Sequence, residues 1–170
     1  IVSKYGLDQI RFFLFREVPF GNDGDFSNDT ISNRINADLS NNFGNLVQRI
    51  FSFINKNCDS VITNSFNMNS EDEKLINYSS DIYKKYIYHM NCQEIDKAIK
   101  SIFDLLSKTN IYVDRQAPWI LIKENKERMN NVLSISSEII RRSTILLYPI
   151  IPESCEKIFS IMNLNLKDIN

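Results

Sequence analysis

The stretch 28–56 reads NDTISNRINADLSNNFGNLVQRIFSFINK. Its apolar residues Ile31, Ile35, Leu39, Phe43, Leu46, Ile50, Phe53 and Ile54 recur at helical spacing. Ser27 supplies an N-cap oxygen, and Asp29 places an acid in the first turn, where the helix dipole favours one. The segment predicts one amphipathic helix of roughly 40 Å at 1.5 Å rise per residue. A helix of that length needs partners for its apolar stripe, so the neighbouring segments must supply them.

Upstream, 5–15 predicts a short helix with Ile10, Phe13 and Leu14 on one stripe. Pro19 and Gly21-Asn22-Asp23-Gly24 turn the chain before Ser27. Downstream, 57–69 is polar and loop-like. Ser70 with Glu73 reads as a capping box opening a helix to about His89, and Asn91 with Glu94 repeats the signal for a helix to about Val113. That helix would bury Ile95, Ile99, Ile102, Phe103 and Leu106. Pro118 forces a break or a new start. A further helix covers 126–148, with Met129, Val132, Leu133, Ile139, Ile140 and Leu147 inside and Glu138 and Arg142 paired at i, i+4. Pro149 and Pro152 end it, and Pro152 starts a last short helix ending near Met162. No alternating strand pattern competes, and the fold class is all-α, an antiparallel helix bundle.

The bulk composition fits. Of 170 residues 43% are hydrophobic and 11% aromatic, enough for a core, while Gly and Pro number four each. The formal net charge of −1 excludes a uniformly positive surface, so any nucleic-acid binding must use a local patch. Cys58, Cys92 and Cys155 form no CxxC pair and the only histidine is His89, so no zinc site is expected. The odd, scattered cysteines fit a reducing compartment, with a cytoplasmic location as the expectation. No run approaches the ~18 apolar residues of a membrane span, and membrane partners are not expected. Ile1 opens directly on structured sequence, as expected of a piece cut from a longer chain. No GxxxxGK[ST] or GxGxxG run is present, Asp23 and Asp25 read as turn formers, and no catalytic residue is assigned.

Three segments together resemble methionyl-tRNA synthetases, of the class I aminoacyl-tRNA synthetases. The first is Tyr5-Gly6-Leu7-Asp8-Gln9-Ile10-Arg11-Phe12-Phe13-Leu14, continuing through Arg16 to Ser27. It is similar to the family's joint shortly after the KMSKS loop of the catalytic domain. The second, Arg34 to Leu39 followed by Gly44-Asn45-Leu46 and Arg49, is similar to the first long helix of the anticodon-binding domain. The third is Tyr112-Val113-Asp114 with Ala117-Pro118-Trp119, and Leu147 to Glu153 is similar to the family's ending. The run from Arg16 to Ser27 and the Ala-Pro-Trp point to the methionine enzyme rather than those for isoleucine, leucine, valine or cysteine. Nothing specific is recognised between about 55 and 93.

The resemblance implies a class I anticodon-binding bundle over 27–170, preceded at 1–26 by the end of the catalytic-domain linker. It implies that Trp119 stacks on an anticodon base and that Asn45 and Arg49 help read the CAU anticodon of methionine tRNA. Gly44, Pro118, Arg115 and Lys123 are expected as supporting RNA contacts. The partners implied are methionine tRNA, at its anticodon loop, and the protein's own catalytic domain. The HIGH and KMSKS motifs and a zinc knuckle are missing, so no cofactor is expected in these residues. The parent enzyme would use ATP and Mg to activate methionine. Two alternatives remain open: a helical protein-interaction module without RNA, and the equivalent domain of another class I synthetase.

Overall fold

The computed structural model describes residues 1–19, 21–62 and 67–165. Phe20, within the run from Arg16 to Ser27, lies outside them, as do 63–66 of the expected loop and 166–170 of the expected bundle. Every regular element among the described residues is helical: α1 (Val2–Tyr5), α2 (Leu7–Glu17), α3 (Asn28–Arg34), a π-helical segment (Ile35–Gly44), α4 (Asn45–Asn57), α5 (Ser70–Asn91), α6 (Ile95–Gln116), α7 (Pro118–Glu124), α8 (Lys126–Leu147) and α9 (Pro152–Ile161).

The expected long helix is therefore continuous but not uniform. Ser27 caps it by accepting from the Thr30 amide. Between Ile31 and Phe43 the apolar spacing is a steady four residues, wider than the α-helical 3.6, and there the backbone relaxes into the π form. Gly44 ends that segment. A Cβ at Gly44 would lie 2.9 Å from the Leu39 carbonyl oxygen, five residues back, so only glycine fits without a backbone shift.

Partner residues fix the directions of the long helices. Asn42 reaches Ser107 while Arg49 reaches Asp114, so α3–α4 and α6 run parallel. Tyr112 reaches Asp72, whereas Lys108 covers the Tyr78 ring, so α5 runs against α6. Asp72, Ser79 and Tyr86 meet Arg128, Arg142 and Leu146 in order, so α8 runs with α5. The result is an up-down-up-down bundle. Its core holds Leu46, Ile50, Ile82, Ile99, Ile102, Leu106, Val132, Leu133, Ile139, Ile140 and Leu147.

The N-terminal helices pack on this bundle. Arg11 donates to the carbonyls of Ile150 and Pro149 at 2.9 and 2.8 Å. Asp8 accepts from the Ser154 amide at 2.7 Å, an acid at the start of α9. Phe12 is fully buried, its ring 5.3 Å from Phe103. The expected stripe on α2 is thus corrected: Ile10, Phe12 and Phe13 are buried and Leu14 is exposed, because α2 is clasped between the bundle and α3.

Both capping boxes also shift. The α5 box is Asn69 with Asp72, one residue before the expected pair, and places Asp72 inward. Asn91 caps nothing; it ends α5, Gln93 takes a positive φ of 59°, and α6 starts at Ile95 without a side-chain cap. Helix α6 then runs to Gln116, three residues past Val113. Glu138 pairs with Arg142 as expected, at 2.7 Å, and with Arg141 as well.

Candidate functional site

The end of α6 and the start of α7 meet at a sharp corner. Ala117 takes the left-handed conformation, φ 45° and ψ 64°, and its amide donates to the Val113 carbonyl at 2.9 Å. The α region is sterically disfavoured before proline, and Pro118 fills the first position of α7, where no amide hydrogen is needed. Pro118 is buried and anchors the corner; Trp119 beyond it remains 45% exposed. A non-glycine residue in this conformation costs free energy, and such strain persists where surrounding structure enforces it.

Arg49 projects from α4 to this corner. Its guanidinium carbon lies 5.5 Å from the centre of the Trp119 ring, a cation–π contact, and Nη2 donates to Asp114 Oδ1 at 2.5 Å. Asn45, one turn earlier, is exposed; its backbone N–H donates to the Ser40 and Asn42 carbonyls, and its side-chain carboxamide makes no hydrogen bond to a described residue. Behind Asn45, Asn42 donates to Ser107 at 2.9 Å and accepts from Asn110 at 3.0 Å, pinning the π segment to α6. The structure thus brings Arg49 and Trp119 together, with Asn45 and Gly44 on the preceding turn. Lys123 is exposed on α7. Arg115 lines a different feature, the groove between α5 and α6.

Sequence reasoning missed what holds the corner in place. Asp72 is fully buried and accepts two bonds from Arg128, at 2.5 and 2.8 Å, plus one from the Tyr112 hydroxyl at 2.7 Å. Arg128 also donates to Gln116 Oε1, which immediately precedes Ala117, at 2.7 Å. Burial alone would raise the Asp72 pKa; Arg128, Tyr112 and the Asn69 amide outweigh it and hold the carboxyl below its ordinary value. Tyr112 is pushed far upward by burial and by Asp72. The network joins the ends of α5, α6 and α8 beneath the corner. Asp114 was also missed as the partner of Arg49.

The family described as the anticodon binding domain of methionyl tRNA ligase matches residues 62–169. The chain belongs to that family. Residues 1–51 match the class I tRNA synthetases of the methionine type. Methionine–tRNA ligases of Brucella suis and Mesorhizobium japonicum are 40% and 41% identical over 162 residues, 95% of this chain but 32% and 31% of those proteins. The apo methionyl-tRNA synthetase of Mycobacterium tuberculosis superposes with a TM-score of 0.94 at 34% identity, over 98% of this chain and 34% of that one. The chain spans about a third of the length of these relatives. It is an anticodon-binding domain of the methionyl-tRNA ligase family, and the expected all-α bundle is the fold observed. No described helix is long and apolar enough to cross a membrane.

Proposed function

We propose that this domain reads the CAU anticodon of methionine tRNA at the corner formed by Trp119, Arg49 and Asn45. The observation that carries the reading is the half-exposed Trp119 ring held by Arg49. The guanidinium supports the indole, and the exposed part of the ring offers a stacking platform to an unpaired base. Asn45 presents a donor and an acceptor one turn away, suited to a base edge. Arg49, engaged by Asp114, both steadies the ring and supplies charged donors. Gly44 and Pro118 shape the backbone on either side, and Lys123 contributes charge.

In the whole ligase, residues 1–26 would join this domain to the catalytic part, which would activate methionine with ATP and Mg and transfer it to the tRNA in the cytoplasm. These residues would supply tRNA selection alone.

Trp119 is the only tryptophan in the chain, so its fluorescence reports the site directly. Titration with an RNA hairpin carrying a CAU loop should change that emission. Trp119→Ala, which lacks the fluorophore and is measured beside the wild type by electrophoretic titration of the hairpin, should weaken binding by about 1–3 kcal/mol, roughly 5- to 150-fold. Unchanged affinity in a variant of native helicity and melting temperature would remove Trp119 from the reading.

A further inference from the structure

Most arginines in this domain are engaged. Arg16, Arg34, Arg49, Arg128, Arg141 and Arg142 all pair with carboxylates, and Arg11 holds two carbonyls. The groove between α5 and α6 departs from this pattern. It is an open cavity of about 470 Å³ whose lining includes Lys74 and Tyr78 of α5 and Lys108, Ile111 and Arg115 of α6. None of the three cations has an ion-pair partner among the described residues. Lys108 lies 4.2 Å from the centre of the Tyr78 ring, which fixes the ammonium at the groove without neutralising it. Glu71 is the acidic member of the lining, and its Oε2 is occupied by the Gln116 amide at 2.6 Å.

The placement follows from helix geometry. Lys108, Ile111 and Arg115 lie at i, i+3 and i+7 on one face of α6, and Lys74 and Tyr78 lie at i, i+4 on the facing side of α5. The row ends at Arg115, four residues before Trp119. Asp114, the neighbouring residue, faces α4 and Arg49 instead. In a chain of net charge −1, this groove concentrates unpaired positive charge next to the proposed base-reading corner.

We propose that the α5–α6 groove is a second RNA contact, binding backbone phosphates of the anticodon arm through Lys74, Lys108 and Arg115. It rests on the anticodon-reading role of the Trp119 corner. The two sites divide the work: the corner discriminates bases, and the groove supplies affinity without sequence preference. A near-neutral domain then needs no general positive field.

The test uses the 170-residue chain and two RNA hairpins, one with a CAU loop and one with its first anticodon base changed, titrated over a range of salt. Lys74→Gln, Lys108→Gln and Arg115→Gln are made singly and together, with helicity and melting checked. Each substitution should lower the log–log salt slope by about 0.7 and weaken binding about fivefold at about 0.1 M salt. The ratio between the two hairpins should not move. If the triple variant keeps the wild-type slope and affinity while Trp119→Ala loses both affinity and discrimination, the groove proposal falls and the corner stands. If wild type does not distinguish the hairpins yet the triple variant loses its slope, the corner reading falls and the groove remains a phosphate site. If an acidic peptide binds the wild type but not the triple variant, while the triple variant keeps the wild-type RNA affinity and salt slope, the groove takes a protein ligand and the RNA assignment falls.

Discussion

Replacing Asp72 by Asn should cost this domain several kcal/mol of stability, although the change is one atom in size. Asp72 is fully buried, and Arg128 is only 16% exposed, so the pair is shielded from water. The substitution leaves the guanidinium without its counter-charge and turns one acceptor oxygen into a donor amide facing Arg128. Breaking a buried pair from one side costs about 3–5 kcal/mol. That is a large part of a total of about 5–15 kcal/mol. Urea denaturation followed by circular dichroism measures it. A cycle with Arg128→Met separates the ion pair from general damage. The double variant should be less harmed than the sum of the singles, because no orphaned charge remains. The same carboxylate makes a pH prediction. Its folded pKa lies below the ordinary value, so its stabilising contribution is present above the ordinary carboxylate range and is lost as pH falls through the folded pKa. Wild type should therefore lose stability in acid, and Asp72→Asn should lose less. A cost below about 1 kcal/mol, or strictly additive singles, would refute the reasoning.

Two further outcomes are expected. Gly44→Ala should lower the melting temperature, at a cost of about 1–3 kcal/mol, because the added methyl meets the Leu39 carbonyl at 2.9 Å and must shift the backbone next to Asn45; an unchanged melt would show that the π segment yields freely. In a thiol-reagent titration near neutral pH, exposed Cys92 should react fast and Cys155 only after denaturation, because Cys155 is buried and its thiol is pushed up to about 12 by burial first and by Asp8 and Glu156; early modification of Cys155 would contradict the packing of α9.

Helices and core were legible because they are local. The stripe from Ile31 to Ile54 and the apolar face of α6 each bury what periodicity predicts, apart from partly buried Ile35, Leu39, Phe53 and Ile95. The π segment was also written in the sequence, as the unbroken four-residue spacing from Ile31 to Phe43, but an expectation of 3.6 passes over it. The α5 cap could not be settled locally, since Asn69–Asp72 and Ser70–Glu73 both have capping-box chemistry. The choice depends on Arg128, 56 residues away, which draws Asp72 inward. Likewise Asn45 and Arg49 share a helical face by spacing alone, but the Arg49–Asp114 bond spans 65 residues. Pairings of that kind follow from how whole helices pack, and one sequence carries no direct signal for them.

The position of Trp119 shows how these distant pairings create a surface that periodicity cannot predict. A lone tryptophan in a bundle belongs in the core by default, given its apolar area. Here the left-handed Ala117 reverses the chain, and buried Pro118 spends the inward position. The next side chain is forced outward. Leaving a large ring half in water forgoes burial that the core would have supplied, and Ala117 adds strain. The Asp72–Arg128–Gln116 network and the Arg49 contact hold the chain in that costly arrangement. Stability is thus set against an exposed, rigidly held aromatic ring beside charged donors, the arrangement that the proposed stacking of an unpaired base would use.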